Sequence, residues 1–263
     1  MRNRPRGQRI VASTAALVML AAATGLHAQP IAVPHHSFES PDVSDSPFLA
    51  ESKIDGWMRS GPSYEIPELG QSGVLDTGVF FNAPADPTYI VGVDSSQMAF
   101  IGAQDPENIP PGEPPIAIYQ TLDHRYQQGK HYVLTIGVAP ASAVHGRDPR
   151  TDNPNDPDDD APPAELTFRL YYEHDQQRLT VASTAVLSTQ LQQYEVIDFE
   201  LTSETVGASD PWLEEPIGIE IAPTLGLSGY WNVDNVRLTQ VPEPATATLI
   251  ALAGGVLLCR RRR

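Results

Sequence analysis

The side chains that could perform acid–base or nucleophilic chemistry are plentiful in this chain, but their spacing forms no catalytic motif. The sequence has 33 acidic residues, yet no pair of carboxylates has a recognisable acid–base setting. Serines are present without the G-x-S-x-G turn that exposes a nucleophile in α/β-hydrolases. His124 and His131 are seven residues apart and His35 and His36 are adjacent, so neither pair has the H-E-x-x-H spacing of a zinc site. The sequence therefore predicts a protein that is not an enzyme.

Aromatic side chains offer a second kind of chemistry, because their faces stack on the apolar face of a sugar ring. The candidates for a glycan-binding surface are Trp212, Tyr64 and Trp57. Trp212 follows an Asp-Pro pair in a turn-like setting and is expected to be the most exposed of the three. Trp57 and Trp231 alternatively belong to the core, since tryptophan is highly buried on average. The sequence leaves both roles open.

These side chains must be positioned by β-strands, because no segment between the two ends of the chain has a sustained helical period. Short runs rich in β-branched and aromatic residues alternate with Pro, Gly, Asp and Asn, which predicts an all-β sandwich or barrel. Tyr132, Leu134 and Ile136 share one face of such a strand. The predicted strands are residues 73–82, 89–93, 97–101, 116–122, 131–138, 166–173, 179–186, 195–202, 217–222 and 230–239.

The charge of the chain is strongly negative between two basic ends. Residues 29–259 contain all 33 acidic residues but only 9 of the 17 basic ones, which gives this part a formal charge of −24. Such a surface repels nucleic acid and anionic lipid and attracts divalent cations, of which calcium prefers oxygen ligands. An acidic, proline-rich insertion at about residues 140–163 lacks the pattern of an EF-hand and predicts an extended, solvated loop. The single cysteine, Cys259, provides no disulfide.

The two ends of the chain have the features of topogenic signals. Arginines in the first nine residues precede an apolar stretch at residues 10–26, which predicts a signal peptide over residues 1–28. Near the other end, a Pro-Glu-Pro triplet precedes an apolar run at residues 245–259 and four final arginines. The prolines keep the triplet extended, and the arginines stop transfer through a bilayer. A plain membrane anchor is the alternative, although fifteen residues of helix span only about 22 Å of a core of about 30 Å.

Residues 241–263 resemble the PEP-CTERM sorting signal of bacterial exported proteins. The resemblance implies an exosortase-like membrane protease as partner, a C-terminal transmembrane helix as transient inner-membrane anchor, and a final location at the cell surface or in the extracellular matrix. The residues that carry it are Pro242, Glu243, Pro244, Arg260, Arg261, Arg262 and Arg263. One β-sandwich domain is expected between the signals, over residues 29–240.

Six short motifs follow one another within this domain. They are HSFESP (36–41), IDGW (54–57), VDSSQMA (93–99), IYQTL (118–122), QGKHYVLT (128–135) and VDNVRL (233–238). Their order resembles that of galactose-binding-like jelly rolls, which include carbohydrate-binding modules. The resemblance implies a jelly-roll β-sandwich with a structural calcium ion bound by Glu39 and Asp234, whose oxygens are suitable ligands. Alternatively, Glu39 caps a turn and Asp234 accepts backbone hydrogen bonds without a metal.

The functional hypothesis that follows is an exported, non-enzymatic protein of the cell envelope or extracellular matrix. Its role would be structural or adhesive, and it would be processed through the exosortase route. The alternative is a carbohydrate-binding module that recognises a specific glycan, such as an exopolysaccharide. A secreted hydrolase is a remote third reading, and nucleic acid is not an expected partner.

Overall fold

A computed structural model of the chain describes residues 27–45, 50–51, 53–61, 77–85, 89–102, 115–140, 164–225 and 230–243. The signal peptide up to residue 26, the insertion from residue 141 to 163 and the C-terminal run from residue 244 onward lie outside these ranges. Within them the chain forms twelve β-strands and one short 3₁₀ helix, Ser188–Gln190. No helix in this part of the chain is long and apolar enough to span a membrane.

Seven strands form the first antiparallel sheet. Six of them follow the order β10–β7–β12–β5–β4–β2, and β1 also pairs with β12. Their bounds are Gln29–Ile31 (β1), Ala50–Glu51 (β2), Thr77–Phe81 (β4), Gln97–Gly102 (β5), Lys130–Pro140 (β7), Ile197–Thr202 (β10) and Tyr230–Pro242 (β12).

Five strands form the second antiparallel sheet, in the order β3–β6–β11–β8–β9. Their bounds are Met58–Ser60 (β3), Ala117–Arg125 (β6), Glu165–His174 (β8), Gln177–Leu187 (β9) and Pro216–Leu225 (β11). The central strand β11 pairs with β6 on one side and with β8 on the other.

The main hydrophobic core contains side chains from both sheets. The first sheet contributes Tyr132, Leu134 and Ile136, which are fully buried as their alternation predicts. From the second sheet, Ile217 and Ile219 of β11 are buried to the same extent, together with Ile221. The prediction of an all-β sandwich is confirmed, because two antiparallel sheets pack over one core.

The predicted strand at residues 89–93 is wrong. Val91 makes one isolated bridge to Glu195, and no longer ladder forms there. Asn82 explains this, since its side chain accepts a hydrogen bond from the Ile90 N–H and donates one to the Ile90 carbonyl oxygen. Gly92 then turns the chain with a φ of 85°, which a regular strand does not allow. A second small apolar cluster, including Ile90, Met98 and Phe100, covers the outer side of the first sheet here.

Candidate functional site

Glu39 and Asp234, the two predicted calcium ligands, both contact the segment that leads into β5. The carboxylate of Glu39 accepts hydrogen bonds from the backbone N–H groups of Ser96 and Gln97, at 2.9 and 2.6 Å, and from the Ser96 hydroxyl. Asp234 Oδ2 accepts the backbone N–H of Asp94 at 2.6 Å. These are the bonds of the metal-free alternative. They hold the segment before β5 against Glu39, near the start of the domain, and against Asp234, near its end.

Asp234 nevertheless has one oxygen with no role in this network. Its Oδ1 is buried and has no hydrogen-bond partner among the described residues. The pKa of Asp234 is raised to about 8. Burial is the main cause, and the nearby carboxylates of Asp94 and Glu39 act in the same direction, whereas hydrogen bonds from two backbone N–H groups partly oppose them. Across the described ranges, no group of three or more His, Cys, Asp or Glu side chains is arranged to hold a metal ion. The spare oxygen suits a hard cation, but backbone carbonyls would have to complete the ligand set.

A different cluster of charged groups lies on the outer face of the five-stranded sheet. Alternation along β11 turns Ile219 and Ile221 into the core and Glu220 to the opposite face. Glu220 is only 6% exposed, because long side chains from the neighbouring strands cover it. Its Oε1 lies 2.5 Å from Arg169 Nη2, and its Oε2 lies 2.9 Å from Arg178 Nη1. A buried carboxylate is thus held between two guanidinium groups.

Two tyrosines flank this charged group on the same face. The guanidinium carbon of Arg178 lies 3.8 Å from the ring centroid of Tyr119 and 6.0 Å from that of Tyr171. The Tyr171 hydroxyl lies 3.0 Å from Thr121 Oγ1, and burial raises the pKa of Tyr171 to about 12. The strand register explains this arrangement, since Tyr119 pairs with Glu220 across β6 and β11, and Glu220 pairs with Arg169 across β11 and β8.

A cavity of about 210 Å³ opens beside these residues, and we refer to it as the Glu220 cavity. Its lining residues are Ser60, Pro115, Ala117, Thr167, Arg169, Arg178, Glu220, Ala222 and Thr224. Four of its polar atoms are buried without a hydrogen-bond partner in the described part of the chain: Ser60 Oγ, Arg169 Nε, Arg178 Nη1 and Glu220 Oε2. The last two form an ion pair at 2.9 Å, so Ser60 Oγ and Arg169 Nε are the two that lack any polar partner among the described residues. Buried polar atoms are rarely left unpaired, so this wall is complementary to a polar ligand.

A larger cavity of about 530 Å³ lies at the other end of β3. Trp57, Asp55 and Gln120 are among its lining residues. Gln120 donates hydrogen bonds to the carbonyl oxygens of Pro34 and Gly56, and it thereby ties the N-terminal segment to β6. One buried polar atom, Gln120 Oε1, is unpaired there among the described residues, compared with two at the Glu220 cavity, which also contains a buried carboxylate between two arginines. The Glu220 cavity is therefore the stronger candidate for a reaction site.

The aromatic residues proposed as a glycan surface do not lie together. Trp57 is 8% exposed, packs on Phe38 at 5.5 Å between ring centroids and donates its indole N–H to the His35 carbonyl oxygen. Trp212 is half-buried and packs on Tyr172 at 6.4 Å. Tyr64 lies outside the described residues. These positions do not test whether the residues bind sugar.

The start of the sorting motif continues the last strand. Pro242 pairs with Lys130 across β12 and β7, and the Glu243 N–H donates to the Gly129 carbonyl oxygen at 3.1 Å. Pro244 and Arg260, Arg261, Arg262 and Arg263 lie outside the described residues. The sorting signal and the signal peptide therefore stay predictions from the sequence.

Comparison with protein families decides the identity of the domain. The profile of the HpiC1-like family, described as HpiC1 cyclase, matches residues 29–239. The chain belongs to the HpiC1-like cyclase family. No curated protein sequence matches this family member significantly.

Solved structures of cyclases share the fold of this HpiC1-like chain. A cyclase from Fischerella sp. TAU is 18% identical, covers 83% of this chain over 100% of its own length, and has a TM-score of 0.59. The Stig cyclase Fisc from the same organism, bound to (3Z)-3-(1-methyl-2-pyrrolidinylidene)-3H-indole, is 20% identical, with 82% and 99% coverage and a TM-score of 0.58. A Fischerella cyclase bound to 4-(1H-indol-3-yl)butan-2-one is 17% identical, with the same coverage and TM-score. At these identities the likeness shows the fold alone.

Family membership corrects the functional hypothesis drawn from the sequence. The prediction that the protein is not an enzyme is wrong, because the family is one of cyclases. The structural or adhesive role is wrong for the same reason. The family match also replaces the two alternative hypotheses, a glycan-binding module and a hydrolase. No local motif contains the site, because Ser60, Arg169 and Glu220 meet only through strand pairing. One local signal does exist: Glu220 is the only charged residue within the strand β11.

Proposed function

We propose that this HpiC1-like protein is a cyclase whose reaction takes place in the Glu220 cavity. The observation that carries the proposal is a cavity of about 210 Å³ lined by the buried Glu220 carboxylate and its two arginines. Two further buried polar atoms of its lining residues, Ser60 Oγ and Arg169 Nε, have no partner among the described residues. Membership of a cyclase family supports ring closure as the reaction class. The indole compounds bound by two related Fischerella structures support an aromatic substrate.

The reaction we propose is an isomerising, redox-neutral ring closure. A proton from solvent adds to an alkene of the substrate, and an electron pair from the aromatic ring then forms the new carbon–carbon bond to the resulting cationic carbon. Loss of a proton from the ring restores its aromaticity. One proton enters and one leaves, so the product has the mass of the substrate.

Glu220 is the residue we assign to the proton that leaves. It is the only carboxylate among the lining residues, and a carboxylate can accept a proton. Arg169 and Arg178 fix the orientation of this carboxylate from two sides. The rings of Tyr119 and Tyr171 in turn hold the guanidinium of Arg178 in place.

Turnover of 3-alkenylindoles by the purified full-length protein tests the proposal. In deuterated water the expected product is an isomer that carries one additional deuterium, resolved by chromatography and mass spectrometry. Glu220→Gln keeps the size of the side chain but removes the base, so turnover should fall about 100-fold or more. Glu200→Gln is the matched control, because Glu200 is an exposed strand glutamate in the other sheet. Full activity of Glu220→Gln would contradict the assignment.

We further propose the features that the sequence implies for the rest of the protein. These are a jelly-roll connection of the galactose-binding-like class, export by the N-terminal signal, and sorting by an exosortase-like protease. A structural calcium ion at Asp234 and Glu39 is supported by the unpaired Asp234 Oδ1. Fractionation of cells that express a variant with alanines at Pro242, Glu243 and Pro244 tests the sorting step, which fails if the variant reaches the same compartment.

A further inference from the structure

The unpaired atoms of the Glu220 cavity define what kind of group can fill it. Two of them are donors that contact no acceptor among the described residues: Ser60 Oγ and Arg169 Nε. Arg169 contacts Glu220 through Nη2, so its Nε can donate to another group, whereas Arg178 Nη1 is the atom that pairs with Glu220 Oε2. Two donors around one cavity match a group with two acceptor oxygens.

The charge of the cavity wall points to the same kind of group. Two guanidinium groups face a single carboxylate, which leaves one positive charge without a counterion in the wall. A further acid, Glu165, accepts hydrogen bonds from the hydroxyls of the lining residues Thr167 and Thr224. The bond from Thr224 is solvent-exposed and the bond from Thr167 is part-buried, so water screens the charge of Glu165 more strongly than that of the buried Glu220. A positive wall is unusual in a domain whose net charge is strongly negative.

We infer that the substrate of this cyclase carries a carboxylate, which binds to Arg169 Nε and Ser60 Oγ. The inference rests on the proposed function, since it concerns the substrate of the same site. An arginine N–H donor binds a charged carboxylate more strongly than a neutral carbonyl oxygen.

Two indoles with the same linker between ring and polar group test this inference by calorimetric titration of the full-length protein. One is 4-(1H-indol-3-yl)butanoate, and the other is 5-(1H-indol-3-yl)pentan-2-one, in which a methyl ketone replaces the carboxylate. We expect the butanoate to bind with a Kd about tenfold or more below that of the ketone. In nitrogen-15 spectra, the Nε–H resonance of Arg169 should shift with the butanoate and stay in place with the ketone.

Ser60→Ala is the variant that leaves the fold unchanged. Its Oγ bonds nothing in the described part of the chain, so its removal costs the protein no hydrogen bond there. It should weaken butanoate binding about three- to tenfold and leave ketone binding unchanged. The matched control is Ser183→Ala, on β9 of the same sheet and outside the cavity lining.

The outcomes separate this inference from the proposed function. Equal or tighter binding of the ketone, or no binding of the butanoate, would overturn the carboxylate assignment. Deuterium-labelled turnover of neutral 3-alkenylindoles would in that case still support a cyclase. Butanoate binding that is unaffected by Ser60→Ala, together with an unmoved Arg169 resonance, would place the carboxylate elsewhere and overturn the inference as well.

Discussion

The ring of Tyr171 lies directly against Gly218 on the neighbouring strand. The two residues pair across β8 and β11, and a Cβ atom at Gly218 would lie 2.2 Å from two carbon atoms of the ring. Only glycine therefore allows the ring to cross β11 and bring its hydroxyl to Thr121 on β6. This close approach fixes the position of the Tyr171 ring near Arg178, one of the two arginines that hold Glu220.

Gly218→Ala should destabilise the protein by about 1–3 kcal/mol, because the added methyl group displaces a buried ring. The displaced ring loses its hydrogen bond to Thr121, so turnover should fall as well. Chemical denaturation measures the first effect. In a Tyr171→Ala background the same substitution should cost much less, since the clash is then absent. Equal costs in both backgrounds would mean that the ring and the glycine are not coupled.

Glu220→Ala should destabilise the protein by about 3 kcal/mol, because two guanidinium groups lose their shared counterion. This is the lower end of the range of about 3–5 kcal/mol for loss of one partner of a buried ion pair. The lower end applies because Arg169 and Arg178 are 28% and 20% exposed and keep some hydration. Glu200→Ala on the other sheet should change the free energy of unfolding by about 0.5 kcal/mol or less. A loss for Glu220→Ala as small as that of the control would contradict the ion-pair arrangement.

Tyr171 should make stability depend on pH in the alkaline range. Its folded pKa of about 12 lies above its ordinary value of 10, so the folded state holds the proton more tightly than the unfolded state. This contribution is complete below pH 10 and is lost as the pH rises from 10 to 12. Urea denaturation at several alkaline pH values measures it. Tyr171→Phe should show a shallower decline, although the buried Tyr126, whose pKa is also raised, preserves part of it. Parallel pH profiles would contradict the assignment.

Calcium should stabilise the protein if it binds at Asp234 and Glu39. Millimolar calcium is then expected to raise the Tm by several degrees over a sample treated with a chelator, because a ligand that binds only the folded state adds to its stability. Asp234→Asn should abolish this difference. Asp198→Asn, an exposed aspartate on β10, should preserve it. Identical thermal transitions with calcium and chelator would favour the hydrogen-bonded, metal-free alternative.

Much of the fold could be predicted because a strand shows its alternation within a few residues. The alternation of apolar residues predicts a buried face on strands β8 and β11. The side chains concerned, Phe168, Leu170 and the isoleucines of β11, are buried in the core. The strand predicted at residues 89–93 was wrong because the side chain of Asn82 satisfies the backbone of Ile90. Those hydrogen bonds form between residues eight positions apart, so the alternation of residues 89–93 does not predict them.

The candidate site was hidden for a related reason. Its members come from β3, β6, β8, β9 and β11, and the local pattern of residues does not indicate which strands are neighbours. Glu220 was visible as a lone acid in an apolar strand, but nothing local predicts that Arg169 and Arg178 enclose it.

The β-rich domain, its negative charge and the pattern of its faces follow from the sequence alone, because they depend on residue types and on a spacing of two residues. The sequence also contains the terminal features that predict export and sorting. Which outward-facing residues meet depends on the tertiary structure, because strand order and register are set by packing of the whole core. Register places Tyr119, Glu220 and Arg169 in one row, and Gly218 leaves room for Tyr171 beside them. The Glu220 cavity is a product of that register.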